Sequence, residues 1–261
     1  MKIKVYQIDA FSDQIFRGNP AAVCILEEWI EESKMQLIAA ENNLAETAFV
    51  VPVDDHYAIR WFTPQVEVDL CGHATLAAAF VLYEYYYHKS SVVKFESLKS
   101  GTLRVAKIGK KLELDFPADT IVKVKTPEVL IDALSLKPTE TYKGKTDYLL
   151  IFDSQRDIES IEPDFKQLAE VGGRGVIVSA RGNEVDFVSR FFAPQAGIDE
   201  DPVTGSAHTS LTPYWANKLN KTELSAQQIS QRKGDLNCVW EGDRVKISGS
   251  AVTYLIGEIE V

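Results

Sequence analysis

The sequence predicts an α+β protein of two similar domains, each a curved sheet wrapped on a helix. Arg60-Trp61-Phe62-Thr63-Pro64-Gln65 returns as Arg190-Phe191-Phe192-Ala193-Pro194-Gln195, 130 residues later and half the chain away. Each copy follows a strand-like alternation, Tyr57 to Arg60 and Phe187 to Arg190. Each precedes a short acidic loop, a small-residue turn and a helical pattern. The first turn, Gly72-His73-Ala74-Thr75, leads into LAAAFVLYEYY; the second, Gly205-Ser206-Ala207-His208-Thr209, leads into SLTPYWANKL. A repeat this long marks a domain duplication rather than a solenoid. A chance recurrence of RxFxPQ would not also supply a helix at nearly the same offset.

The elements follow in order. Strands are expected over Val5–Phe11, Ala21–Leu26 and Ala48–Val53, then over Val92–Glu96, Thr102–Lys107 and Lys111–Phe116, from β-branched or alternating residues between turn signals. A helix is expected over Ile30–Glu41. The pattern lapses near Pro117–Thr126, around the two prolines Pro117 and Pro127, which places the domains at residues 1–120 and 121–261. The second half offers strands at Asp147–Phe152, Gly175–Ser179, Asp186–Arg190, Cys238–Trp240, Val245–Ser248 and Val252–Val261.

Composition bounds the function. The 261 residues are 45% hydrophobic and 25% charged, an ordinary globular balance that can bury a core. A net charge of −10 repels polyphosphate, so nucleic acid is not the expected partner. The N-terminus lacks the apolar stretch of a signal peptide, and the apolar run from Ala74 to Tyr87 is too short for a bilayer and carries Glu84. A cytoplasmic protein with no membrane partner is expected. Three widely spaced cysteines, Cys24, Cys71 and Cys238, form neither a disulfide framework nor a metal knuckle. The sequon at Asn220-Lys221-Thr222 reads as chance in a chain without a signal peptide.

Glu46 stands where the first helix ends and an apolar strand begins. A carboxylate so placed is partly desolvated, which favours its protonated form and suits proton transfer; the other reading is a surface Glu at a helix end. The turns at Gly72-His73 and Gly205-Ser206 let backbone N–H groups approach an anion at a helix N-terminus. If the halves face each other, two such ends would serve one carboxylate; the simpler reading is N-capping by Thr204 or Ser206. Two of the four histidines, His73 and His208, lie in these turns. Three metal ligands do not assemble from these segments at a recognisable spacing, so His73 reads as an acid or hydrogen-bond donor and no metal is expected. Gly172-Gly173-Arg174-Gly175 precedes a strand rather than a helix, so it is no phosphate loop, and no nucleotide cofactor is expected.

Four motifs, GNPAAV (18–23), NLAETAF (43–49), WFTPQVEVDLCGHAT (61–75) and DEDPVTGSAH (199–208), resemble the PhzF family of phenazine-biosynthesis-like proteins in matching order across essentially the whole chain. The resemblance implies the diaminopimelate-epimerase-like fold: two pseudo-symmetric domains, each a barrel-like sheet around a central helix, with the active site in the cleft between them. In better-understood members a Glu moves a proton on a dihydro-hydroxyanthranilate without a cofactor, and Glu46 matches that Glu. By the same resemblance His73 and Asp201 would be catalytic, orienting substrate and relaying the proton. Asn19, Gly72, Gly205 and Ser206 would bind a small anionic metabolite, and the chain would form a homodimer. Related epimerases carry a thiol before each Gly-rich turn. Here Cys71 fills the first such place, while the second turn has Asp201-Pro202. The function expected is a cofactor-independent isomerase. A one-thiol epimerase using Cys71 and a non-catalytic anion-binding protein are the alternatives.

Overall fold

A computed structural model describes all residues, 1–261. The chain forms two compact units, Met1–Asp115 with Ser248–Val261, and Phe116–Ile247.

The first unit begins with β1 (Lys2–Ala10), β2 (Asn19–Ile25), α1 (Glu32–Asn42), β3 (Glu46–Val53) and β4 (His56–Phe62). It continues through β5 (Glu67–Val68), α2 (Gly72–Tyr85), β6 (Val92–Ser97), β7 (Gly101–Ile108) and β8 (Lys111–Pro117), whose last two residues enter the second unit. Strands β2 and β3 are parallel and joined through α1, as a parallel pair requires. Both faces of β2 are covered, which explains its unbroken apolar run. Helix α1 covers one face, seating Met35, Ile38 and Ala39 against Ala22, Cys24, Phe49 and Val51. Helix α2 is buried on nearly every side, from His73 to Ala79 and from Val81 to Tyr83. A helix apolar all round belongs at a centre, and the run Ala77-Ala78-Ala79 keeps its girth small enough for strands to pass closely.

The second unit runs β9 (Val122–Lys123), α3 (Glu128–Leu134), β10 (Glu140–Lys143), β11 (Asp147–Ile151), α4 (Gln155–Ser160), α5 (Phe165–Leu168) and β12 (Gly175–Arg181). Then come β13 (Phe187–Ala193), β14 (Ile198–Asp201), α6 (His208–Leu219), β15 (Glu223–Gln228), β16 (Gly234–Glu241) and β17 (Arg244–Gly249), whose last two residues return to the first unit. Its central helix, α6, contains Pro213, which cannot donate to the Thr209 carbonyl. The Asp119 N–H donates to that carbonyl instead, at 3.1 Å.

The repeat is visible in the pairing of each unit. β2/β3 is parallel, β3/β4 and β4/β5 antiparallel, β4/β6 parallel and β6/β7 antiparallel. The same sequence of pairings recurs as β11/β12, β12/β13, β13/β14, β13/β15 and β15/β16. The two arginines of the repeated motif do the same work. Arg60 donates twice to Glu67 of β5, both at 2.7 Å, and Arg190 donates to Glu200 of β14 at 2.8 and 2.9 Å.

The domain division differs from the sequence expectation of 1–120 and 121–261. The last strand, β18 (Ala251–Glu260), pairs antiparallel with β1 from Lys2↔Glu260 to Ala10↔Ala251. The C-terminus therefore belongs to the first unit, and it covers a β1 edge that would otherwise stay open. Other elements were not anticipated. Helices α3, α4 and α5 have seven, six and four residues, too few for a helical period to show. Strand β15 buries Leu224, Ala226 and Gln228 on one face, and the two glutamines hide its alternation. Phe11, expected to end the first strand, leaves it in the left-handed region at φ 62°. No helix is long and apolar enough to cross a membrane.

Candidate active site

Three chain segments of the first unit converge. Gly18, at φ +67°, turns the chain into β2 where a Cβ would lie 2.2 Å from the Ala10 carbonyl oxygen, so only glycine fits. The next residue, Asn19, is thereby delivered fully buried. Helix α1 ends on Asn43 in the left-handed conformation, and Glu46 opens β3 beside it. The Asn42 amide donates to Thr47 Oγ1 at 3.1 Å, tying the helix end to that strand start. Cys71 precedes α2 in extended geometry, and Gly72 and His73 form its first turn.

His73 lies at the middle of these groups, 6% exposed. Its Nε2 is 3.2 Å from Glu46 Oε2, and the Glu46 side chain is 13% exposed. On the other side of the ring, Asn19 Nδ2 stands 3.2 Å from Nδ1, and Cys71 Sγ 3.5 Å from the same nitrogen. Burial pushes the His73 pKa down to about 3, so the ring is neutral at pH 7. With the Asn19 amide donating to Nδ1, the single ring proton sits on Nε2 and faces the carboxylate. Nε2 and Oε2 stand 3.2 Å apart without the alignment of a hydrogen bond, and with the ring neutral the approach is not an ion pair. No side chain caps α2, and its first-turn N–H groups end beside this cluster.

No spacing along the chain groups three metal donors, yet Glu46, Cys71 and His73 place one ligand atom each within 4.8 Å of one another. They come from segments too far apart in the chain for a spacing rule to connect them.

In the second unit Asp201 ends β14. Its Oδ2 accepts from Thr204 Oγ1 at 2.5 Å, and its backbone carbonyl accepts from Gln228 Nε2 at 2.7 Å. Gln228 Oε1 in turn accepts the Thr204 N–H at 2.8 Å. Gln228 is fully buried and holds the Asp201–Thr204 loop from beneath. Sequence reasoning missed it, because a glutamine in ELSAQQ carries no signal of burial. Thr204 and Ser206 do not cap α6, which opens at His208, three residues after Gly205. The turn Gly205-Ser206-Ala207 thus precedes the regular helix. Gly205 has no neighbour that a Cβ would meet. His208 is fully buried, donates through Nδ1 to the Thr204 carbonyl at 2.8 Å and packs on Phe187. Thr75 makes the matching bond to the Cys71 carbonyl at 2.6 Å, so the turns align with Cys71 on Thr204 and His73 on Ser206.

The repeats differ where it matters for chemistry. Thr47 pairs with Phe62 and Val176 with Phe192, so the residue matching Glu46 is Gly175. A Cβ there would lie 2.4 Å from the Phe191 ring and 2.9 Å from the Phe192 carbonyl oxygen. No side chain fits, and the carboxylate exists in one repeat only.

A family model described as phenazine biosynthesis-like protein, PhzC-PhzF, matches residues 8–257. A Pseudomonas aeruginosa protein named as an uncharacterized isomerase is 51% identical over 261 residues, the whole of both chains. The crystal structure of a PhzF family protein from Enterococcus faecalis superposes with a TM-score of 0.98 at 46% identity, covering 100% of each chain. A hydroxyproline epimerase from Agrobacterium vitis, at 11% identity and a TM-score of 0.66 over 99% of this chain and 92% of its own, shares the fold alone. The α+β fold with two pseudo-symmetric, epimerase-like halves read from the sequence is the fold observed, and the chain belongs to the PhzC-PhzF family of phenazine biosynthesis-like proteins.

Proposed function

We propose that the protein is an isomerase that shifts a proton within a small carboxylate-bearing metabolite, with Glu46 taking and returning that proton. The observation that carries the reading is the Glu46–His73 pair, which has no counterpart in the second repeat because Gly175 stands in place of Glu46.

A two-base racemase needs groups on opposite faces of one carbon. One carboxylate suits a different task. Glu46 removes a proton from a carbon acidified by neighbouring unsaturation or a carboxylate, breaking the C–H bond and leaving its electron pair delocalised. The protonated Glu46 then returns that proton to another carbon of the same system. The double bond moves, and no electrons leave or enter. General acid–base help of this kind contributes about 100- to 10,000-fold.

His73, 3.2 Å from Glu46, is placed to orient it and steady its charge, with Asn19 holding the ring in the required tautomer. The uncapped N–H groups at Gly72 and His73 are suited to bind the substrate carboxylate. Asp201, Gly205 and Ser206 are proposed to contact the substrate, Asp201 orienting it and relaying the proton. The chemistry requires only these side chains, so no cofactor is invoked. A second reading, an epimerase with Cys71 as one base, draws support from the 3.5 Å approach of Cys71 Sγ to His73.

Incubation of the protein in deuterated water with a panel of small unsaturated carboxylates tests the proposal. Deuterium should enter a substrate carbon in a Glu46-dependent manner. Turnover of a found substrate with no solvent-derived or transferred hydrogen would contradict it.

A further inference from the structure

We propose that Glu46, Cys71 and His73 form a binding site for a thiophilic divalent cation, zinc above all, and that the bound ion blocks proton transfer. The first half of the proposal stands on geometry; only the blocking rests on the function proposed above.

The three donor atoms lie within 4.8 Å of one another. Ligands of a tetrahedral zinc, each roughly 2.0–2.3 Å from the metal, sit about 3.3–3.8 Å apart. Of the three separations, the 3.2 Å from His73 Nε2 to Glu46 Oε2 already has this scale. A contraction of about an ångström completes the triangle. Sulfur, nitrogen and oxygen together suit zinc, whereas magnesium and calcium require oxygen throughout. Thiolate, carboxylate and neutral imidazole sum to −2, so the loaded cluster is neutral and tolerates its burial.

His73 carries the outer partner such sites need. A metal-bound histidine fixes its remaining N–H on an oxygen. Asn19, already on Nδ1, can turn its amide to present Oδ1 there, leaving Nε2 and its lone pair for the ion beside Glu46. On binding, the Cys71 thiol gives its proton to solvent as the sulfur–metal bond forms, so affinity falls as pH falls. Three protein ligands leave a fourth position open. The second repeat cannot build such a site, having Gly175, Thr204 and Ser206 at the matching places. An ion held here occupies the Glu46 lone pair and the His73 nitrogen that proton transfer uses.

The other cysteines make the test specific. Cys24 and Cys238 are fully buried and their thiols are pushed up to about 12, so neither supplies a thiolate. Titration of the reduced full-length protein with cobalt(II) should give a thiolate-to-cobalt charge-transfer band and intense visible bands of a tetrahedral ion, saturating at a single ion per chain and displaced by zinc. Cys71→Ser should abolish the charge-transfer band and weaken zinc binding by about 100-fold or more, since even outer-shell changes cost roughly 10- to 100-fold. Glu46→Gln should weaken it by at least about tenfold by the same reasoning. A band that survives in Cys71→Ser, or zinc affinity unchanged in Glu46→Gln, overturns the proposal. Should Cys71→Ser fail to fold, alkylation of Cys71 in the unaltered protein decides: zinc must protect it, and equal alkylation with and without zinc overturns the site. A negative result leaves proton transfer untouched, because that is read by deuterium exchange in metal-free protein.

Discussion

Glu46 and Gly175 hold the same position in the two repeats, each opening the strand that pairs in parallel with the one before it. One carries a carboxylate against His73; the other has no room for a Cβ. Duplication supplied two frames, and packing at Phe191 removed the possibility of two carboxylates. Gly175→Ala should therefore destabilise the protein by about 1–3 kcal/mol through overpacking. Gly205→Ala, where nothing stands within 4 Å, should stay within about 0.5 kcal/mol. Urea denaturation of both variants checks the contrast, and equal effects would contradict it.

The tautomer of His73 follows from Asn19 and can be read without a substrate. Two-bond proton–nitrogen spectra at pH 7 should show His73 with a protonated Nε2 and a bare Nδ1. Asn19→Asp, an acceptor in place of a donor, should move the proton to Nδ1. An unchanged pattern in that variant would remove Asn19 from the positioning role.

Buried neutral histidines predict how stability depends on pH. His73 and His208 have folded-state values of about 3 and about 4, below the ordinary 6.5 of the unfolded chain. As pH falls below about 6.5 the unfolded chain takes up protons that the folded chain refuses, so stability drops. The loss approaches about 1.4 kcal/mol per pH unit for each histidine and levels off near their folded values. Stability from urea unfolding between pH 7 and pH 4.5 should fall accordingly, and His208→Asn should flatten the slope. A slope unaffected by that substitution would show that His208 does not contribute.

The legible part of this molecule was local or repeated. The motif around Arg60 and Arg190 announced the duplication, because its proline and bidentate arginine recur for the same geometric reasons in each half. Glu46, Cys71 and His73 were legible as separate candidates at element boundaries. Their convergence was not, since only the parallel β2/β3 pairing and the central position of α2 bring them together. Gln228 was invisible because its burial depends on a loop carbonyl and a loop N–H contributed by distant residues. The placement of β18 was equally hidden: its strand character is local, but its partner, β1, lies at the other end of the chain.

In the proposed reaction the migrating proton rests on Glu46. Glu46→Gln keeps the side chain's shape and much of its hydrogen bonding while removing the base. Cys71→Ser removes the thiol while keeping a small polar side chain before α2. With a substrate found by deuterium incorporation, the exchange rate of each folded variant should be measured in metal-free buffer. The expected result is a loss of about 100-fold or more for Glu46→Gln and nearly full exchange for Cys71→Ser. An active Glu46→Gln beside an inert Cys71→Ser would make the thiol the base and contradict the account.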